Sequence, residues 1–101
     1  MYLAMNRFKI HKDRAEDFIR MWKERESYLD EMEGFVAFHL LRGAEEDGAV
    51  LFASYTHWRE KKDFENWVGS EQFKKSHARA HQSDRTMFAG PSKLELFESV
   101  I

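Results

Sequence analysis

Cysteine is absent from the 101 residues. That removes disulfides, thiolate metal sites, thiol catalysis and iron–sulfur ligation at once. An excess of one charge sign is also lacking: 16 lysines and arginines nearly balance 18 aspartates and glutamates, for a formal charge of -2. No global field therefore draws nucleic acid or an anionic membrane surface. No apolar run approaches membrane length, and Asn6, Arg7 and Lys9 interrupt the apolar residues at the N-terminus, unlike a signal peptide. A cytoplasmic protein with neither membrane nor nucleic-acid partner is the expectation. There is no glycine-rich dinucleotide fingerprint and no Walker sequence, so a flavin or nicotinamide site is not built in. Repeats, linkers and low-complexity segments are missing too. Residues 1–101 thus read as one domain, large enough to bury roughly two-thirds of the surface its unfolded chain exposes.

What is present is a succession of clear periodicities. In "YLAMNRFKI", Tyr2, Ala4, Asn6, Phe8 and Ile10 share one side of a strand over 2–10, with Leu3 and Met5 on the other. Asp13 followed by Glu16 offers an N-cap with an acid at N3, and Ala15, Phe18, Ile19, Trp22 and Leu29 recur at helical spacing, which predicts a helix over about 14–31. Gly34 supplies a stop, "FVAFHLL" reads as a strand over 35–41, "GAEEDG" as a turn, and "AVLFASYTHW" as a strand over 49–58. Helical pattern resumes near Glu60. Gly69 and Ser70 interrupt it, and Ser70 can cap a fresh helix carrying Phe73, His77 and His81 on one face. After a polar loop over about 82–91, "SKLELFESV" supplies a last strand.

The order β-α-β-β-α-β fits an α+β fold, a ferredoxin-like antiparallel sheet with helices on one face. Strands 35–41 and 49–58 are apolar on both sides, whereas helices cover only one. An uncovered apolar face of that size is economically buried against a second sheet, so a homodimer is expected.

The chemistry concentrates in "NWVGSEQFKKSHARAH", residues 66–81, where Trp67 precedes His77 by ten positions and His81 follows four later. Taken singly, each residue has a plain structural role. His77 suits a hydrogen-bonding surface or interface histidine, Trp67 suits core packing beside Phe64 and Val68, and Asn6 suits a core amide bonded to backbone. The basic cluster Lys74, Lys75, Arg79 and Arg85 suits a solvated face. His77 and His81 could together hold zinc or copper, but no third ligand stands at a metal-binding spacing.

With "MNRF", "EGF" and the series Trp58, Phe64, Trp67, Phe73, His77, the chain resembles the dimeric ferredoxin-like antibiotic biosynthesis monooxygenase domains, and within them the IsdG-type haem-degrading monooxygenases. The loop 82–91 matches less well. The resemblance implies that Asn6, Trp67 and His77 line a haem pocket together with Phe73: His77 as the axial ligand of the iron, Trp67 as the bulk that distorts the porphyrin, and Asn6 as a hydrogen-bond donor on the distal side. It implies haem as both cofactor and substrate, dioxygen as co-substrate, and an external electron donor. Some of the four basic residues would pair with propionates. A cofactor-free monooxygenase of aromatic polyketides or quinols, and a non-enzymatic dimeric binding module, are the competing readings.

Overall fold

The computed structural model describes residues 1–25, 27–80 and 85–101, with backbone alone over 77–80. Four antiparallel strands, β1 (Tyr2–His11), β2 (Phe35–Glu46), β3 (Ala49–Trp58) and β4 (Lys93–Glu98), form one sheet in the order β2-β3-β1-β4. Helices α1 (Ala15–Glu24), α2 (Lys61–Val68) and α3 (Glu71–Ala80) lie over one face. This is the ferredoxin-like arrangement expected from the periodicities.

The period-2 alternation of β1 decides what faces the helices. Tyr2, Ala4, Phe8 and Ile10 are buried, and their partners in β3 include Trp58, Phe52 and Val50. Two clusters result: Phe8, Ile10, Phe18, Val50 and Phe52 under α1, and Tyr2, Leu29, Trp58 and Trp67 under α2. Phe18, Ile10, Phe52 and Trp58 are fully or almost fully inaccessible. Full burial of each such side chain contributes about 1.5–3 kcal/mol relative to exposure.

Three expected boundaries move. The helix over 14–31 ends at Glu24: Arg25 is extended, Tyr28 is left-handed at φ 61°, and Leu29–Glu31 make a separate 3-10 turn. The apolar stripe explains the break. After Trp22 the next inward position falls on Arg25 rather than on an apolar side chain, so no apolar contact anchors a continued helix there. Leu29, read as the stripe's continuation, instead reaches the second cluster from outside the helix. Asp13 is not the cap either. It lies in a 3-10 turn (Lys12–Arg14), and Arg14 precedes α1 without a side-chain capping bond.

β2 runs on to Glu46, so "GAEEDG" is mostly strand. The turn is confined to Asp47 and Gly48, both at positive φ (53° and 78°), with Glu46 opposite Ala49. Two positive-φ residues match the twist of a two-residue hairpin. The last strand covers 93–98 rather than 92–100. Within the expected loop 82–91, Arg85–Met87 form a 3-10 turn, Phe88 bridges Ile10, and Ala89 donates its N–H to the Lys9 carbonyl at 2.8 Å. Gly34 is at φ 84°, as its place before β2 suggested.

The opposite face of the sheet carries Leu3, Met5, Ala37, Leu41, Leu51, Ala53 and Tyr55, with Arg7 and Glu95 paired across its β4 side. No helix covers it. Among the described residues, no helix is long and apolar enough to cross a membrane.

Candidate functional site

Between the helices and the sheet lies a cavity of about 500 Å³. That size is ordinary for a small-molecule or cofactor site. Its floor comes from β1, β3 and β4, where Asn6 sits opposite Ser54 on one side and Leu94 on the other. Its walls are aromatic: Trp22 and Phe18 from α1, Phe64 and Trp67 from α2, and Phe73 from α3. Trp67 is 7% exposed and held on two sides, with its ring centroid 6.2 Å from Trp58 and 5.5 Å from Phe73.

One serine fixes the last two rings relative to each other. The Ser70 hydroxyl donates to the Trp67 carbonyl at 2.6 Å and accepts the Phe73 N–H at 3.1 Å, closing α2 and opening α3 with a single side chain. Gly69 between the helices turns at φ -87°, a conformation open to any residue. The Ser70 cap read from the sequence is therefore present. It positions two cavity walls at once.

Polar groups inside this apolar space are few and incompletely satisfied. Asn6 Oδ1 is buried without a hydrogen-bond partner. Turning the amide over only exchanges an orphaned acceptor for an orphaned donor. Trp22 Nε1 and Arg25 Nε are likewise buried and unpartnered, and both residues line the cavity. An unsatisfied buried polar group costs about 1–3 kcal/mol. Burial also pulls the pKa of Arg25 below the ordinary arginine value. A guanidinium nevertheless stays charged at neutral pH. Its carbon lies 4.6 Å from the centre of the Trp22 ring. Among the described residues the cavity thus combines aromatic walls, the Asn6 carboxamide, the Trp22 and Trp67 indoles, the hydroxyls of Ser27, Ser54, Thr56 and Ser76, and the Arg25 cation.

A model of antibiotic biosynthesis monooxygenases matches residues 1–79. The chain belongs to that family. Solved structures with the same fold include the haem-degrader MhuD of Mycobacterium tuberculosis, described with two haems in its active site: TM-score 0.73 and 20% identity over 100% of this chain and 97% of that one. SnoaB of Streptomyces nogalater, a cofactor-independent oxygenase, gives a TM-score of 0.63 and 23% identity over 99% and 93% of the two chains. A Bacillus cereus protein provisionally named as an antibiotic biosynthesis monooxygenase gives 0.81 at 12% identity, over 99% and 91%.

Within this fold, Asn6, Trp67 and Phe73 line one cavity. His77 falls inside α3, four residues after Phe73, but its side chain lies outside the described residues, as does that of Arg79. His81 and the zinc or copper pairing with it lie outside them as well. Three of the four basic residues expected near the ligand have described side chains. Lys74 approaches Glu71 at 3.5 Å on the surface, the Lys75 ammonium stands 5.9 Å from the Tyr28 ring centre, and Arg85 is exposed; none of the three lines the cavity. Among the described residues, the cation that does is Arg25, which sequence reasoning passed over. In "KERE" it is one of four charged neighbours, and nothing in the string distinguishes the buried one.

Proposed function

We propose that the chain is a haem-degrading monooxygenase, with haem as substrate and cofactor, dioxygen as co-substrate and an external donor supplying electrons. The observation that carries this reading is the convergence of Asn6, Trp67 and Phe73 on an aromatic cavity in which the carboxamide has a buried, unpartnered end. A flat, apolar ring system fits such walls, and the orphaned amide suits a ligand that brings its own polar atom. The shared fold with MhuD is consistent with it.

When bound, haem would supply the metal that activates dioxygen and the ring carbon that is oxidised. The protein's part is placement. His77 would hold the iron. Trp67, braced by Trp58 and Phe73, would press on the ring without yielding, because both neighbours are themselves packed. Asn6 would donate a hydrogen bond toward the distal side, and the apolar wall would keep bulk water away. The uncovered sheet face would be closed by a second copy of the chain.

A cofactor-free oxygenase of aromatic polyketide or quinol substrates is supported by the same wall, since Asn6 and Trp67 could orient an aromatic ring without iron, and SnoaB shares the fold. Haemin titration separates the two. A saturable Soret shift followed by bleaching with ascorbate is the expected result. A shift without bleaching leaves haem binding alone, and no shift favours the cofactor-free enzyme or a binding module.

A further inference from the structure

Asn6 sits in the cavity floor with one polar side chain directly beside it. Along β1 the flanking inward residues are Ala4 and Phe8, and across on β4 stands Leu94. Across on β3 stands Ser54, opposite Asn6 in the register. Ser54 also lines the cavity and is 7% exposed. Among the described residues its hydroxyl makes no hydrogen bond. The sheet is held by backbone ladder bonds, and the rest of this inward row of β3 is Val50, Phe52, Thr56 and Trp58, so the fold makes no use of that hydroxyl. Two uncommitted groups therefore lie side by side: an amide whose Oδ1 is buried without a donor, and a hydroxyl that can turn to supply one.

Side chains directly opposite in an antiparallel pair have Cβ atoms about 4.5–5.5 Å apart, while diagonal neighbours stand about 7–8 Å apart. A serine and an asparagine span the shorter separation at the usual O–H···O length of about 2.8 Å. Thr56 pairs with Ala4 and is only diagonal to Asn6. For Asn6 to donate into the cavity, its N–H groups must face the ligand and its oxygen must point away. Oδ1 is the inaccessible end, so the amide already has that orientation, but nothing holds it there. We propose that Ser54 is the positioning residue for Asn6: when a cavity ligand takes the amide N–H groups, the Ser54 hydroxyl donates to Oδ1 and locks the amide with its donors on the ligand. Without a ligand, closing this bond would immobilise two side chains for the modest net gain of one hydrogen bond. A ligand that has already fixed the amide removes most of that entropic cost. Engaging the N–H groups also polarises the carbonyl, which makes it the better acceptor. The assignment rests on the reading of Asn6 as the donor to the ligand, but not on what the ligand is.

The test observes the amide itself by nuclear magnetic resonance. The chain has two asparagines, Asn6 and the exposed Asn66, so the Asn6 side-chain NH2 signals are assigned by their loss in Asn6→Leu, with Asn66 as the solvent-facing control. Two diamagnetic probes are used, ferrous carbonyl haem and 2-hydroxy-1,4-naphthoquinone. With a probe bound, the Asn6 amide of the parent is expected to be rigid, with an order parameter of about 0.85; in Ser54→Ala it should fall below about 0.6. Ser54→Thr, which keeps a hydroxyl, should restore rigidity, and Thr56→Val should leave it as in the parent. Circular dichroism of each variant controls for folding. An Asn6 amide as rigid in Ser54→Ala as in the parent, the same loss in Thr56→Val, or failure of both probes to immobilise Asn6 in the parent would each overturn the proposal. Haemin bleaching is measured alongside, and Ser54→Ala should slow it about tenfold, with recovery in Ser54→Thr. The Ser54-dependent rigidity with the naphthoquinone alone, and no bleaching by the parent, rejects haem degradation and retains Ser54. Bleaching by Ser54→Ala at the parent rate does the reverse.

Discussion

At the scale of single residues, Asn6 sets function against stability. Its buried amide end lacks a partner, and replacing an unsatisfied polar group by an apolar one of similar shape is neutral or stabilising. Asn6→Leu should therefore raise the free energy of unfolding by up to about 1 kcal/mol in urea titration, while haemin bleaching slows at least tenfold, about 1.4 kcal/mol in barrier. A less stable variant that bleaches normally would make Asn6 a structural amide. Trp67 is tested by reducing rather than removing it, since deleting so large a buried ring costs about 3–5 kcal/mol. Trp67→Phe should hold haem affinity within about tenfold while bleaching slows, as a residue that distorts the ring requires. Equal loss of both, or of neither, would mean ordinary packing against Trp58 and Phe73. For the iron ligand, His77→Ala should abolish the imidazole-ligated ferric spectrum and His81→Ala should keep it. The reverse pattern would assign the ligand to His81.

At the scale of elements, the junction of α2 and α3 is where local structure controls the site. Ser70 makes both bonds that close one helix and start the next, so Ser70→Ala should lower stability by about 1 kcal/mol. Because the same bonds set Trp67 against Phe73, haem affinity should fall as well. Unchanged affinity at reduced stability would confine Ser70 to capping. The β2–β3 hairpin offers a control far from the cavity. A Cβ at Gly48 meets nothing within 4 Å, yet its φ of 78° lies in the left-handed region. Gly48→Ala should then cost about 1–2 kcal/mol through backbone strain alone, with haemin binding untouched.

At the scale of the whole molecule, the described residues cover the sheet on one face only. Leu41 and Phe97 are 42% and 46% exposed on the other, beside Leu3, Met5 and Tyr55. A second sheet covers such a surface at aligned or orthogonal packing. Sedimentation at micromolar concentration should give about twice the 12.1 kDa chain mass. Leu41→Asp, which places a charge in that face without touching the helix-side core, should shift the protein toward monomer. A parent that sediments as a monomer would contradict the expectation.

Much of this was legible in the string because it depends on near neighbours. Alternation along 2–10 and 49–58 follows from the pleat and the Ser70 start of α3 from hydrogen bonds spanning three residues, while "GAEEDG" marked a turn without showing that it narrows to Asp47–Gly48. From these alone came the element order and the fold class, and the resemblance carried Asn6, Trp67 and Phe73 to a common pocket. What required tertiary structure was everything decided by competition between distant groups. Helical spacing assigned Leu29 to a helix running to residue 31, yet its docking against Trp58 and Tyr2 draws it into a different cluster, and α1 ends at Glu24. Arg25 lies beside Trp22 in the cavity while Lys74 and Lys75 stay on the surface. A charged residue's burial is set by what packs around it, and no local period records that.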